Sequence, residues 1–168
     1  ILHLPSMRQI EPTPMFFSFN TAGVAFDPNA ECKLWEQSVA EWHADPEARL
    51  LLQEQFGLAL TPWTNLQQFL LWKGAGGNGK GKAAAVLELL LGTPNVAHMT
   101  MQQLGSAEHS KRPLINKRLA LITESALNDK IDRVGLTNNL KMFTGEDTVE
   151  IKRQGRQPWI GQLTALFL

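Results

Sequence analysis

Residues 68–92, QFLLWKGAGGNGKGKAAAVLELLLG, constrain the fold more than any other stretch of the chain. An apolar run ends at Trp72, five glycines follow in the eight residues from Gly74 to Gly81, and a Leu/Ala-rich run stops at Gly92. The first run has the length of a buried strand, and the last reads as a helix from Gly79 to Leu91, closed by Gly92. A strand that turns through glycines into a helix aims successive backbone N–H groups, and the positive end of the helix dipole, at one point. A polyanion settles at such a point.

The spacing sharpens this. Gly74, Gly79 and Lys80 fit the phosphate-loop pattern G-x-x-x-x-G-K-[ST], in which glycines permit close backbone approach and the lysine reaches the β- and γ-phosphates. The predicted nucleotide contacts are Gly74, Gly76, Gly77, Asn78, Gly79, Lys80 and Gly81. Gly81 stands where the pattern asks for a hydroxyl, which normally ligates Mg²⁺. Glycine offers no such ligand, and Lys82 beside it reads as a solvated helix residue. Water can fill the coordination place, because Mg²⁺ commonly keeps several waters. Nucleotide binding is therefore expected to survive while hydrolysis slows. A merely structural turn is the alternative.

Phosphate-loop enzymes also need a carboxylate at the end of a neighbouring strand, to hold the metal or its water. RLALIT (118–123) reads as a second buried strand, and Glu124 follows it directly. Open α/β sheets bind ligands outside the carboxyl ends of their strands. Glu124 is thus the candidate catalytic acid and Mg²⁺ ligand, acting through water, with a strand-end cap as the alternative role.

Around this centre the organisation is uneven. Residues 1–28 carry Pro5, Pro12, Pro14 and Pro28 among apolar residues and show no helical period, so an extended lead-in that packs on the rest is expected. Residues 29–60 form a small helical segment. Leu34, Trp35, Ser38, Val39 and Trp42 recur at helical spacing, and Asp45-Pro46 opens a second helix with Gly57 as its expected C-terminal cap. The Trp pair is read as core packing, with a binding platform as the alternative. Residues 61–168 are the α/β unit: a strand over Leu66 to Trp72, the loop and helix, the strand before Glu124, a helix near Asp132 to Phe143, a hairpin over Thr148 to Trp159 turning at Gly155, and a third core strand in QLTALFL. Strands alternating with helices predict a parallel sheet covered on both faces.

Composition limits the function classes. The 168 residues suffice for one core, and the formal net charge is zero, which argues against a uniformly basic nucleic-acid coat. Ten of the sixteen Lys and Arg follow Ser110, against six of the sixteen Asp and Glu, so the last third is basic and the rest acidic. A single cysteine, Cys32, excludes an internal disulfide and a Cys-rich zinc site, and fits a reducing cytoplasm. No apolar run is long enough to cross a membrane. The sequence begins with Ile1 and stops within an apolar run, so a piece of a longer protein is expected.

Taken in order, these motifs resemble the superfamily 3 helicase domain of phage and plasmid primase-helicases, related to the poxvirus-type primase. The likeness covers AECKLWEQSVAEWHADPEARLLLQEQFGLAL, FLLWKGAGGNGKG, LINKRLALITES and LKMFTGEDTVEIKRQGRQPW. The resemblance implies a P-loop NTPase, AAA+-like, that uses ATP and Mg²⁺, assembles as a ring, usually a hexamer, and moves along single-stranded DNA in the cytoplasm of a bacterial host. By motif matching, Lys80 contacts phosphate and Glu124 is the Walker B acid. Lys152, Arg153 and Arg156 lie on or near a DNA-contacting hairpin, where a positive tip follows the phosphate backbone without reading sequence. Lys141 and Asp147 match the same motif without an evident role. The family pattern places a polar sensor residue and a subunit-bridging arginine beyond Leu168, so this chain alone is expected to be a poor ATPase. Two other readings stand beside the motor: a degenerate nucleotide- or DNA-binding module without hydrolysis, favoured by Gly81, and a small phosphotransferase, for which no lid or acceptor pocket is visible.

Overall fold

The computed structural model describes every residue except Phe17, Ala107 and 123–131, with the side chains of 108–110 also outside the description. The chain starts with a minimal antiparallel ribbon, β1 (Leu2–His3) and β2 (Arg8–Gln9). Two helices follow, α1 (Lys33–Trp42) and α2 (Pro46–Leu60), then α3 (Lys80–Leu91) and β3 (Val96–Met99). Next come α4 (Met101–Gly105), a 3-10 turn over Glu108–Leu114, β4 (Leu119–Ile122) and α5 (Arg133–Thr144). The hairpin strands β5 (Val149–Arg153) and β6 (Arg156–Gly161) lead to β7 (Leu166–Phe167).

The centre is a small parallel sheet in the order β3-β4-β7, with Val96 opposite Leu119 and Leu119 opposite Leu166. Successive side chains of a strand point to opposite faces, and here they feed two separate cores. Val96, Leu119 and Leu121 join Ala59 of α2 and Leu87 and Leu91 of α3, with Leu166 packed against them. Ala97, Met99, Ala120 and Phe167 join Leu104 of α4, Leu136 and Phe143 of α5, and Val149 and Ile151 of β5. Phe143 and Phe167 stack at 5.8 Å between ring centroids. The architecture is mixed α/β, a parallel sheet with helices on both faces.

Local chemistry explains the element boundaries. Asp45 caps α2 by accepting from the Glu47 amide at 2.9 Å, with Pro46 in the first turn. Gly79 and Gly92 bracket α3, as the sequence leads one to expect. Asp132 caps α5 by accepting from the Gly135 amide at 2.9 Å. At the hairpin turn Gly155 takes φ +67°. The lead-in is tied down where Asn95, buried after α3, donates from Nδ2 to Thr21 O and Leu91 O at 2.7 Å each.

The structure departs from the sequence expectation at four places. Gly57 does not end α2; the helix continues to Leu60 because Ala59 is a core residue, and it stops at Thr61, whose following proline disfavours helical backbone. Leu66 to Trp72 is not a regular strand. Of that stretch, only the Leu70 amide bonds to the sheet, donating to Phe167 O at 2.8 Å, and Leu66, Phe69 and Leu71 are exposed. The third core strand is only the two residues of β7. In α1 the apolar stripe starts at Trp35 rather than Leu34, which is 78% exposed.

Candidate functional site

The glycine loop lies between the extended segment ending at Trp72 and the first turn of α3. Its glycines do different work. Gly77 and Gly79 hold φ of +76° and +83°, a region costly to other residues. A Cβ on Gly74 would come 2.1 Å from Asn78 Nδ2, and one on Gly79 would come 2.3 Å from the Trp42 ring. Gly76 and Gly81 face open space. The loop is thus shaped by three glycines, and Trp42 of α1 is pressed against the residue that caps α3.

Lys80, the first residue of α3, folds its ammonium back into this loop. Its Nζ donates to Asn78 Oδ1 at 2.7 Å and to Gly74 O and Ala75 O at 3.0 Å each. Gly79 supplies no side-chain cap, so the first amides of α3 lack a side-chain acceptor. A cation and a set of uncapped N–H donors therefore converge at one place, which is the electrostatics an oligophosphate requires.

Two cavities flank that place. One, of about 350 Å³, runs from Lys80 and Gly81 to Leu121 and Ile122 at the carboxyl end of β4 and to Phe167 and Leu168 at that of β7. The first turn of α3, which follows the glycine loop, thus shares a cavity with the carboxyl ends of the parallel strands β4 and β7. Glu124 itself lies outside the described residues, two positions beyond the end of β4. The other cavity, of about 280 Å³, lies between α1–α2 and the loop. Among the described residues no group of three His, Cys, Asp or Glu side chains is placed to hold a metal ion. Lys82 is exposed, as a solvated helix residue should be. Burial lowers the pKa of the Arg118 guanidinium from its ordinary value, but Arg118 precedes β4, at the amino end of the sheet.

The expected basic hairpin forms as β5 and β6, with Lys152 and Arg156 exposed and Arg153 donating from Nε to Gln157 O at 2.9 Å. Sequence reasoning missed its neighbour. Arg112, on the 3-10 turn, lines one concave surface with Lys152, Arg153, Gln154, Arg156 and Pro158. Among the described residues that line it, every charged side chain is a cation. No linear signal joins Arg112 to the hairpin; only the packing of the 3-10 turn against β5 does. Lys141 and Asp147 are both exposed.

A family described as a family of unknown function (DUF5906) matches residues 72–168, more than half of the chain. The chain belongs to this family. The DUF5906 match takes in the glycine loop, α3, the parallel sheet and the basic hairpin, whereas α1, α2 and most of the segment before the loop precede it. No curated protein matches the chain. Among the described residues, no helix is long and apolar enough to cross a membrane.

Proposed function

We propose that this chain is the nucleotide-binding part of a DNA helicase motor of the AAA+-like P-loop class, which binds ATP in the loop of Gly74 to Gly81 and single-stranded DNA along the β5–β6 hairpin. The observation that supports the reading is the convergence at Lys80: its ammonium is turned into the shaped glycine loop, the first amides of α3 are uncapped by a side chain, and Lys80 and Gly81 line a cavity that reaches the carboxyl ends of β4 and β7. In this reading the incoming β- and γ-phosphate oxygens replace the loop oxygens around Lys80 Nζ, and the amides of the loop and of Gly81 donate to them. Little of the work of phosphoryl transfer is covalent; positioning and charge compensation dominate.

Mg²⁺, when bound, neutralises charge on the β- and γ-phosphate oxygens. The described residues offer no ligand for it beside the loop, since Gly81 lacks a hydroxyl, and Glu124 is the carboxylate proposed to hold its water and to orient the attacking water. In this reading the motor works as a ring, a hexamer by resemblance, in the cytoplasm of a bacterial host. The four cations of the hairpin surface would follow a phosphate backbone without sequence preference.

Gly81 favours a second reading, a module that binds nucleotide without splitting it. Calorimetric titration of ATP into the chain, with and without Mg²⁺, tests the shared premise. Binding that is lost in Lys80→Ala is the expected result; no binding by the folded unmodified chain would overturn both readings. Steady ATP turnover by the protein in the presence of single-stranded DNA, abolished by Glu124→Gln, would then decide for the motor.

A further inference from the structure

The second cavity beside Lys80 has a different chemistry from the first. It is a cleft between α1–α2 and the glycine loop, lined on the loop side by Asn78, Gly79 and Lys80. Its walls carry two indoles, Trp42 and Trp72, and the aliphatic side chains of Leu51 and Leu52. Leu51 is 54% exposed and Leu71, at the same cleft, 68% exposed, an arrangement that leaves apolar surface uncovered beside a charged loop. Polar side chains line it too, among them His43, Lys73 and, on α2, Gln55. Gln55 Oε1 accepts from Trp72 Nε1 at 2.8 Å, which fixes the plane of the carboxamide. A carboxamide oxygen has two lone pairs and its nitrogen two donors, so Gln55 keeps one acceptor site and its N–H donors for another molecule.

We propose that this cleft is the nucleobase site of the chain and that Gln55 makes it selective for adenine. The inference rests on the nucleotide reading of the loop and extends it to the other end of the ligand. A flat aromatic heterocycle suits an apolar slot walled by indoles, because stacking on aromatic side chains is favourable for any base. Selection among bases needs a polar edge. A glutamine amide, with donor and acceptor side by side, complements the adjacent N6–H donor and ring-nitrogen acceptor of adenine and not the edge of guanine. Lys80 lines the cleft as well as holding the loop, so a triphosphate in the loop and a base among the Trp residues belong to one ligand. The helical segment 29–60 is then part of the nucleotide site, and the two Trp residues serve more than packing: Trp42 also shapes the loop through Gly79.

The test compares ATP, GTP and inorganic tripolyphosphate, titrated calorimetrically into the 168-residue chain and into two variants whose folding is checked by circular dichroism. Gln55→Glu keeps an acceptor for Trp72 Nε1 and removes the amide donors; Leu51→Ala trims an apolar wall on α2 and leaves Trp42 in place against Gly79. ATP is expected to bind about tenfold or more tighter than GTP and tripolyphosphate, in keeping with the stacking and hydrogen-bonding contribution of one base. Gln55→Glu should erase the preference for ATP over GTP, and Leu51→Ala, which adds no charge, should weaken ATP binding while leaving tripolyphosphate binding within about twofold. Equal affinity of ATP, GTP and tripolyphosphate in the unmodified chain would overturn the base site and leave the phosphate loop standing. A parallel loss of ATP and tripolyphosphate in Leu51→Ala would also overturn it, since the cleft would then only support the loop. Failure of all three ligands would overturn the phosphate loop itself, a separate result.

Discussion

At the scale of single residues, glycines that look equivalent in sequence separate into two classes. Gly79 combines a left-handed backbone with an indole where a side chain would go, so Gly79→Ala should destabilise the fold by about 1–3 kcal/mol. Gly76 has neither constraint, and Gly76→Ala should shift the melting temperature little; a pair of thermal melts checks the contrast. Gly81 is open in a more useful way. A Cβ there meets nothing within 4 Å, and the residue lies in the first turn of α3 at the cavity that reaches β4. Gly81→Ser therefore fits, and it restores the hydroxyl that the phosphate-loop pattern calls for. ATP affinity of the serine variant should rise in the presence of Mg²⁺ and stay unchanged in EDTA. An equal change in both buffers would mean that the hydroxyl acts on the loop and not on a metal.

At the scale of elements, Gly57 carries the clearest test. It sits inside α2, three residues before its end, and a methyl group added there would meet nothing within 4 Å. Gly57→Ala should raise stability by roughly 0.5–1 kcal/mol, measured by urea unfolding, because glycine costs about that much in a helix interior. The misreading of Gly57 shows what sequence carries at this scale. Capping is legible when the residue has its own chemistry to offer: Asp45 accepts the Glu47 amide as its position predicts, and Asp132 caps α5 in the same way without having been singled out. Glycine merely permits an ending, and the buried Ala59 overrides it. Periodicity located α3 and α5, and Gly155 located the hairpin turn. It gave no notice of β3, four residues following a Pro turn with an exposed His98 between apolar neighbours, whose partner lies on β4. The capping box of Thr100 and Gln103 was there to be read, and marks α4. In the segment 66–72 an apolar run led to a strand being expected, yet apolar residues at both faces are exposed and only Leu70 bonds to the sheet. For the candidate site, the loop and hairpin were legible because each is contiguous. Arg112 and Gln55 were not, because their neighbours come from elsewhere in the chain.

At the scale of the whole molecule, the charge division of the sequence becomes a division of surface. The cations that follow Ser110 do not spread evenly: Arg112, Lys152, Arg153 and Arg156 share one concavity. That surface and the glycine loop are carried on elements that pack against the same parallel sheet, the hairpin on the core with Phe167 and α3 on the core with Leu166. If the concavity follows a nucleic-acid backbone, its binding must weaken with salt by counterion release, with a slope of about −0.7 per phosphate neutralised on a single strand. Fluorescence anisotropy with a labelled oligothymidine, repeated across salt concentrations, measures the slope. Arg112→Ala and Arg156→Ala should each reduce it by about 0.7 and weaken binding to oligothymidine and to oligoadenosine alike. The Arg112 variant decides more than the other, because it lies off the hairpin and owes its place to the packing of the 3-10 turn on β5. A slope reduced by Arg156→Ala and untouched by Arg112→Ala would confine the contact to the hairpin tip. A slope that neither variant changes would remove this surface from DNA binding and leave the basic third of the chain to another anionic partner.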